Sequence, residues 1–263
     1  MKYRLSGRKQ KRGLTMKVIA HRGYSGKFPE NTMLAFKKAY KAGADEIELD
    51  VQLSKDNVPV IIHDEFIDRV ADGTGFVRNY TFQELQEFNI NKKFGDKHGF
   101  NTIPSFEEYL YWAKNKPITT NVELKSGNYY YNELEEKVVE MLRAYEMEKR
   151  VMFSSFNHVS LIRCKELIPE IPCGVLTLKE GLGNAGYFAS KYHLEYYHPD
   201  FRGLTDEVVQ NCKDYGIKLN VWTVNDVEGL QKLYDWGCDG VITNYPRLCK
   251  NWLNAKEGTE TGT

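Results

Sequence analysis

Strand-like and helix-like patterns alternate along this chain from Val18 onward. In DEIELDV at 45–51 the side chains follow the two-residue period of a strand, so Ile47, Leu49 and Val51 share one face while Glu48 and Asp50 share the other. Between VIAHRG and that run, Leu34, Ala35, Phe36 and Ala39 recur at helical spacing, with Asn31 or Thr32 as the candidate cap and Gly43 as the stop. A strand, a helix and a second strand over Val18 to Val51 predict a right-handed parallel βαβ unit. A short turn at KDN then leads to VPVIIHD, predicted as the antiparallel arm of a hairpin. With the turn centred between Asp56 and Asn57, Lys55 pairs with Val58 and Asp50 comes opposite His63.

The rhythm continues. Pro104 and Ser105 open the helix FEEYLYWAKN before ITTNVELKSG, and a helix from Tyr131 to about Tyr145 precedes VMFSSF. His158 to Leu167 precedes IPCGVLTL, Asp206 to Tyr215 precedes IKLNVWTVN, and Val227 to Trp236 precedes DGVITN. The stretch from Gly181 to Pro199 is weakly patterned, with EYYHP as the candidate seventh strand. Such alternation predicts an α/β fold, a (β/α)8 TIM barrel with one extra hairpin strand and a small insertion after the third strand, over about 65–104. An open Rossmann-like sheet is the alternative, but no GxGxxG follows a strand. The expected organisation is a basic, disordered extension over 1–15, ending before Met16, one domain over 16–252 and a polar tail over 253–263.

Charge changes the picture little. The 36 basic and 36 acidic residues cancel, so nothing calls for nucleic acid as a partner. The basic start lacks the apolar run of a signal peptide, and no apolar run reaches the roughly 18 residues of a membrane span. Five cysteines without CxxC spacing suggest neither a disulfide framework nor a structural zinc site. These features point to a cytoplasmic chain with buried free thiols.

The candidate chemistry lies at predicted strand ends, where barrels of this kind place reacting groups. Glu48, Asp50 and Glu123 bring three negative charges to one rim, and each pair would repel by about 4 kcal/mol at 4 Å and an effective dielectric of about 20. One divalent cation resolves that conflict. Oxygen ligands favour Mg2+ or Ca2+, while His21 and His63 could instead complete a zinc or iron site. Two histidines beside a hard ion suit general acid–base catalysis. Arg22 and Lys125 add positive charge suited to an anionic substrate, a phosphate ester, and Trp222 with Tyr129 to Tyr131 could form an apolar wall. His98, His158, His193 and His198 lack such company and read as surface or structural residues.

The run AHRG, PENT, GADEIELDVQLSKDNVPVIIHD, VELK, SSF, VWTVN and GVITNYP resembles the glycerophosphodiester phosphodiesterases, over about Lys17 to Leu248. The resemblance implies a barrel with an insertion after the HD strand, metal ligands Glu48, Asp50 and Glu123, and His21 and His63 as the acid–base pair. It further implies phosphate binding by Arg22 and Lys125 with Glu30 in support. The implied reaction converts a small-molecule glycerophosphodiester to an alcohol and sn-glycerol 3-phosphate. One departure is Asn244 in TNYP, where members of the family often carry Asp. Two other readings stay open: lysophospholipase D-like activity on single-chain lipids, with Phe66, Phe94 and Phe100 as a greasy mouth, and a noncatalytic binding module. Head group and oligomeric state are not indicated.

Overall fold

Strand β1 (Lys17–Ala20) opens a computed structural model that describes residues 16–126 and 133–260. It is followed by α1 (Met33–Lys41), β2 (Glu46–Leu53) and β3 (Pro59–Ile61). After the short helix α2 (Phe82–Leu85) come α3 (Phe106–Ala113), β4 (Thr119–Leu124), α4 (Leu134–Ala144), β5 (Val151–Ser155) and α5 (His158–Leu167). The chain continues through β6 (Cys173–Thr177), α6 (Ala185–Lys191), β7 (Tyr196–Pro199), α7 (Asp206–Asp214), β8 (Lys218–Val221), α8 (Val227–Trp236), β9 (Gly240–Thr243) and α9 (Pro246–Glu260).

All of these strands except β3 pair in parallel, and β1 joins both β2 and β9, so the sheet closes into a (β/α)8 barrel. Ile47, Leu49 and Val51 enter the main core with Phe36, Tyr109 and the other apolar faces of the outer helices. Thr32, not Asn31, caps α1, its hydroxyl accepting from the Ala35 amide, and Ser105 caps α3 in the same way.

The hairpin departs from the expected register. Leu53 pairs with Pro59 and Val51 with Ile61, and the Ile62 amide donates to the Asp50 carbonyl at 3.0 Å, so Asp50 faces Ile62, one residue short of His63. Ser54 is the cause. Its amide donates to the Val58 carbonyl at 3.0 Å and its hydroxyl accepts from the Val58 amide at 3.0 Å, which closes a wider loop than a two-residue turn. His63 still reaches the barrel mouth because β3 ends at Ile61. There the Gln52 side-chain amide donates to the carbonyls of Ile62 and Asp64 at 2.9 and 2.8 Å.

Between β3 and α3 a second, smaller core forms from Val60, Ile62, Ile67, Val70, Ala71, Val77, Leu85, Ile90 and Ile103. The segment from 253 that reads as a polar tail begins as helix, since α9 continues to Glu260 and Leu253 is buried in the main core. Helix α4 starts at Leu134, and Tyr129 to Tyr131, like residues 1–15, lie outside the described residues. The five cysteines are buried thiols. Among the described residues no helix is long and apolar enough to cross a membrane.

Candidate active site

The HRG turn after β1 is the first piece of the site. Arg22 adopts a left-handed backbone with φ 53°, which aims its amide at Glu48 Oε2, 2.7 Å away. Gly23, at φ 77°, lies so close to α1 that a Cβ would stand 2.8 Å from the Ala35 carbonyl carbon, so glycine is required for the approach. Strand β2 supplies Glu48 and Asp50, and parallel pairing sets Asp50 beside Glu123 of β4. Oxygens of Glu48, Asp50 and Glu123 lie within 4.8 Å of one another, and all three residues are buried.

Fixed partners surround these acids. Asp50 Oδ2 accepts from Asn31 Nδ2 at 2.7 Å and lies 3.5 Å from Arg22 Nε, while Lys125 Nζ donates to Glu123 Oε1 at 2.7 Å and stands 3.7 Å from Asp50 Oδ1. Burial raises the Glu48 pKa well above the ordinary carboxylate range, and the charges of Asp50 and Glu123 add to that rise. Burial opposes ionisation of Asp50 too, yet His63, Lys125, Arg22 and the Asn31 amide hold its pKa below normal. Glu48 Oε1 and Asp50 Oδ1 are buried without a hydrogen-bond partner. Three converging carboxylates with orphaned oxygens fit a hard divalent ion, so this cluster could hold a metal.

The two histidines have different partners. His21 Nδ1 donates to Asn244 Oδ1 at 2.7 Å, and the Ser25 hydroxyl lies 3.0 Å from that same oxygen. Burial, followed by the Arg22 charge, lowers the His21 pKa to about 4, so the ring is neutral near pH 7. His63 Nδ1 instead donates to the Asp64 carboxylate at 2.5 Å.

His21, Arg22, Glu48, His63, Glu123, Lys125 and Trp222 all line one cavity of about 490 Å³, with Asp50 fully buried beside it. Glu30 stands one step behind. It accepts from Arg22 Nη1 at 2.7 Å and borders a smaller neighbouring cavity of about 220 Å³. The expected greasy mouth is also relocated. Phe66 packs on Phe76 and Phe94 borders the smaller cavity, whereas the apolar wall of the larger one is Phe156, Leu176, Leu178, Trp222 and Ile242.

Several site residues escaped the sequence reading. Asn31 looked like an alternative cap, and its left-handed φ of 55° at the helix entrance is what turns it toward Asp50 instead. Asp64 and Arg69 sit in the weakly patterned start of the insertion, although HD followed five residues later by Arg is a visible charge pairing. Phe156 and Arg202 lie just past strand ends, where pattern alone does not separate site from loop.

A parallel barrel whose mouth gathers buried acids, two imidazoles and two fixed cations has the groups for acid–base chemistry on an anionic substrate. The family model described as the glycerophosphoryl diester phosphodiesterase family matches residues 21–248, and the chain belongs to that family. A glycerophosphodiester phosphodiesterase of Caldanaerobacter subterraneus subsp. tengcongensis is 41% identical over 89% of this chain and 96% of its own. A solved Oleispira antarctica phosphodiesterase in complex with the product sn-glycerol-3-phosphate is 30% identical, with TM-score 0.83 over 91% of this chain and 97% of that one. A solved chain from Silicibacter pomeroyi DSS-3, 23% identical, shares the fold at TM-score 0.85 over 94% of this chain and 95% of that one.

Proposed function

We propose that the larger cavity hydrolyses a glycerophosphodiester to an alcohol and sn-glycerol 3-phosphate. The observation that carries this reading is that His21 and His63 line one cavity with Glu48 and Glu123, whose cluster Asp50 completes from beside it. Arg22 and Lys125, whose pKa values are raised by the neighbouring acids against the cost of burial, stay charged and bind the phosphoryl oxygens. A magnesium or calcium ion held by Glu48, Asp50 and Glu123 supplies further positive charge to those oxygens when bound.

The histidine partners suggest the division of labour. His21 is neutral, with its Nδ1 proton committed to Asn244, so its other nitrogen takes the proton of the glycerol 2-hydroxyl as that oxygen attacks phosphorus. His63, held at Nδ1 by the Asp64 carboxylate, gives a proton from its other nitrogen to the alcohol oxygen as the P–O bond breaks. The resulting cyclic phosphate is opened by water with the roles reversed: His63 takes the water proton and His21 returns one to the 2-oxygen. In support, the Oleispira antarctica relative holds sn-glycerol-3-phosphate as product. The buried thiols suit the reducing cytoplasm, where this reading places the enzyme.

The test is release of glycerol 3-phosphate from glycerophosphocholine and glycerophosphoethanolamine, with magnesium or calcium, with chelator, and with His21→Ala and His63→Ala. Metal-dependent release abolished by both substitutions supports the reading, and no release with either metal from folded protein overturns it. A second reading, lysophospholipase D-like cleavage of single-chain lipids, is favoured by Leu178 and Phe156, which are 60% and 39% exposed on the apolar wall. Choline release from lysophosphatidylcholine micelles tests it. Affinity for glycerophosphodiesters without turnover would instead identify a binding module.

A further inference from the structure

Arg69 has no part in the chemistry described above, yet it joins the two sides of the site. Its Nη1 and Nη2 donate to Glu30 Oε2 and Oε1 at 2.9 and 2.7 Å, and its Nε donates to Asp64 Oδ2 at 2.5 Å. The other Asp64 oxygen is the one that accepts from His63. An alternating series of charges, Arg22, Glu30, Arg69 and Asp64, therefore runs from the end of β1 to the imidazole of His63 at the end of the hairpin. The planar guanidinium suits this place, since one face of its fork takes Glu30 while Nε remains for Asp64; a lysine ammonium has no such geometry.

Both carboxylates respond to it. Burial raises the Glu30 pKa, but hydrogen bonding from Arg69 and the Arg22 charge bring it down to about 2. Asp64 is likewise held below the ordinary range against its burial, by hydrogen bonds from His63 and Arg69. Arg69 itself is carried by a firm support: Ile67, Val70 and Ala71 on either side of it are buried in the insertion core, and the Ala71 amide closes onto the Ile67 carbonyl at 2.9 Å.

We propose that Arg69 is a positioning residue through which the insertion orients the acid–base pair: it clamps Asp64 so that this carboxylate holds His63 Nδ1 and keeps the opposite ring nitrogen aimed into the cavity. The proposal rests on the diesterase reading for its kinetic consequence, and on the Glu30–Arg69–Asp64–His63 geometry for its structural one. Without the clamp, Asp64 Oδ2 loses its partner and the carboxylate is free to rotate away from the imidazole. Proton delivery to the departing alcohol then suffers, while binding of the phosphoryl group by Arg22 and Lys125 persists.

The full chain carrying Arg69→Met, Arg69→Lys, Asp64→Asn or Arg69→Met with Asp64→Asn is compared with the native protein in magnesium. Two substrates are used: glycerophosphocholine, whose alcohol needs a proton to leave, and the 4-nitrophenyl ester of glycerol 3-phosphate, whose phenolate leaves without one. Arg69→Met is expected to lower kcat on glycerophosphocholine about 30-fold with KM within about twofold, part of the roughly 10²- to 10⁴-fold that a positioned acid contributes. On the nitrophenyl ester the loss, read as first-turnover release of nitrophenolate so that the later water step served by His63 does not enter, should stay within about threefold. Arg69→Lys should recover part of the rate, and the double variant should be no slower than Asp64→Asn, as expected for residues acting as a unit. Equal losses on both esters in the first turnover, or a raised KM with unchanged kcat, would overturn the proposal in favour of a structural role or an effect through Arg22. Failure of the diesterase reading is separable, because NMR of the folded proteins reads the His63 Nδ1 proton directly. Its downfield resonance should be present in the native chain and lost in Arg69→Met whether or not either ester is turned over, and its retention in the variant would also overturn the proposal.

Discussion

The Asn31 side-chain amide donates to Asp50 Oδ2 at 2.7 Å, and both residues are buried. That bond leaves the other Asp50 oxygen buried without a hydrogen-bond partner, 3.7 Å from Lys125 Nζ, so the helix entrance after PENT sets the orientation of an acid on the neighbouring strand. Asn31→Asp keeps a residue that tolerates the left-handed backbone while replacing the donor with a fourth carboxyl group. Metal-free stability should fall by about 1–3 kcal/mol. Magnesium should restore a larger share of it than it adds to the native chain. Thermal unfolding with and without the cation measures both effects.

Metal binding should release protons. Glu48 is held well above the ordinary carboxylate range by burial and by its two acidic neighbours, and a cation requires its ionised form. Affinity is therefore expected to rise with pH across the interval in which Glu48 of the metal-free protein ionises. Calorimetry of magnesium binding in buffers of different ionisation enthalpy counts the protons, and zero release throughout would contradict this description of the site.

Asn244→Asp should move the acid limb of the pH–rate profile upward. In the native chain, burial and the Arg22 charge bring the His21 pKa to about 4, and its Nδ1 partner is a neutral amide. A carboxylate there favours the imidazolium, so protonation that disables the base begins at higher pH. The pH dependence of kcat/KM is the measurement, and an unmoved acid limb would sever the link between Asn244 and His21.

Acid should destabilise the fold through its buried histidines before the carboxylates with lowered pKa values, Glu30 and Asp50, contribute. Inside the barrel, His198 accepts from the Asn220 amide at 3.1 Å, and burial lowers its pKa to about 3. The unfolded chain takes up a proton near pH 6.5 that folded His198 and His21 refuse, so stability falls as pH falls from about 6.5. Each should contribute a slope of about 1.4 kcal/mol per pH unit until its folded value is reached. His198→Gln should flatten the slope between about pH 6 and 5 by one proton, as read from urea midpoints.

What could be read from the sequence was what a local period determines. Glu48 and Asp50 fall on one strand face, and His21, Arg22, Glu123 and Lys125 fall at strand ends, so alternation alone brings them to the mouth that the structure shows. The hairpin was misread because Ser54 bonds to Val58 through both its amide and its hydroxyl, a choice between turn types that a KDN run does not disclose. Helix α6 is only 7 residues long with a left-handed Asn184 before it, too short to leave a clear period. Arg69 and Phe156 act through tertiary position, one from the insertion and one from the loop after β5.

The site is shared between two separately packed bodies. The three carboxylates and His21 belong to the barrel, while His63 hangs between the hairpin and the insertion with its smaller core. Small cores open at lower cost than large ones. An excursion that loosens the insertion alone would carry His63 out of the cavity and leave the carboxylate cluster assembled. Along a denaturant gradient, turnover would then cease while the cation remained bound, and the enzyme would pass through a state that holds its metal but has lost one of its two proton carriers.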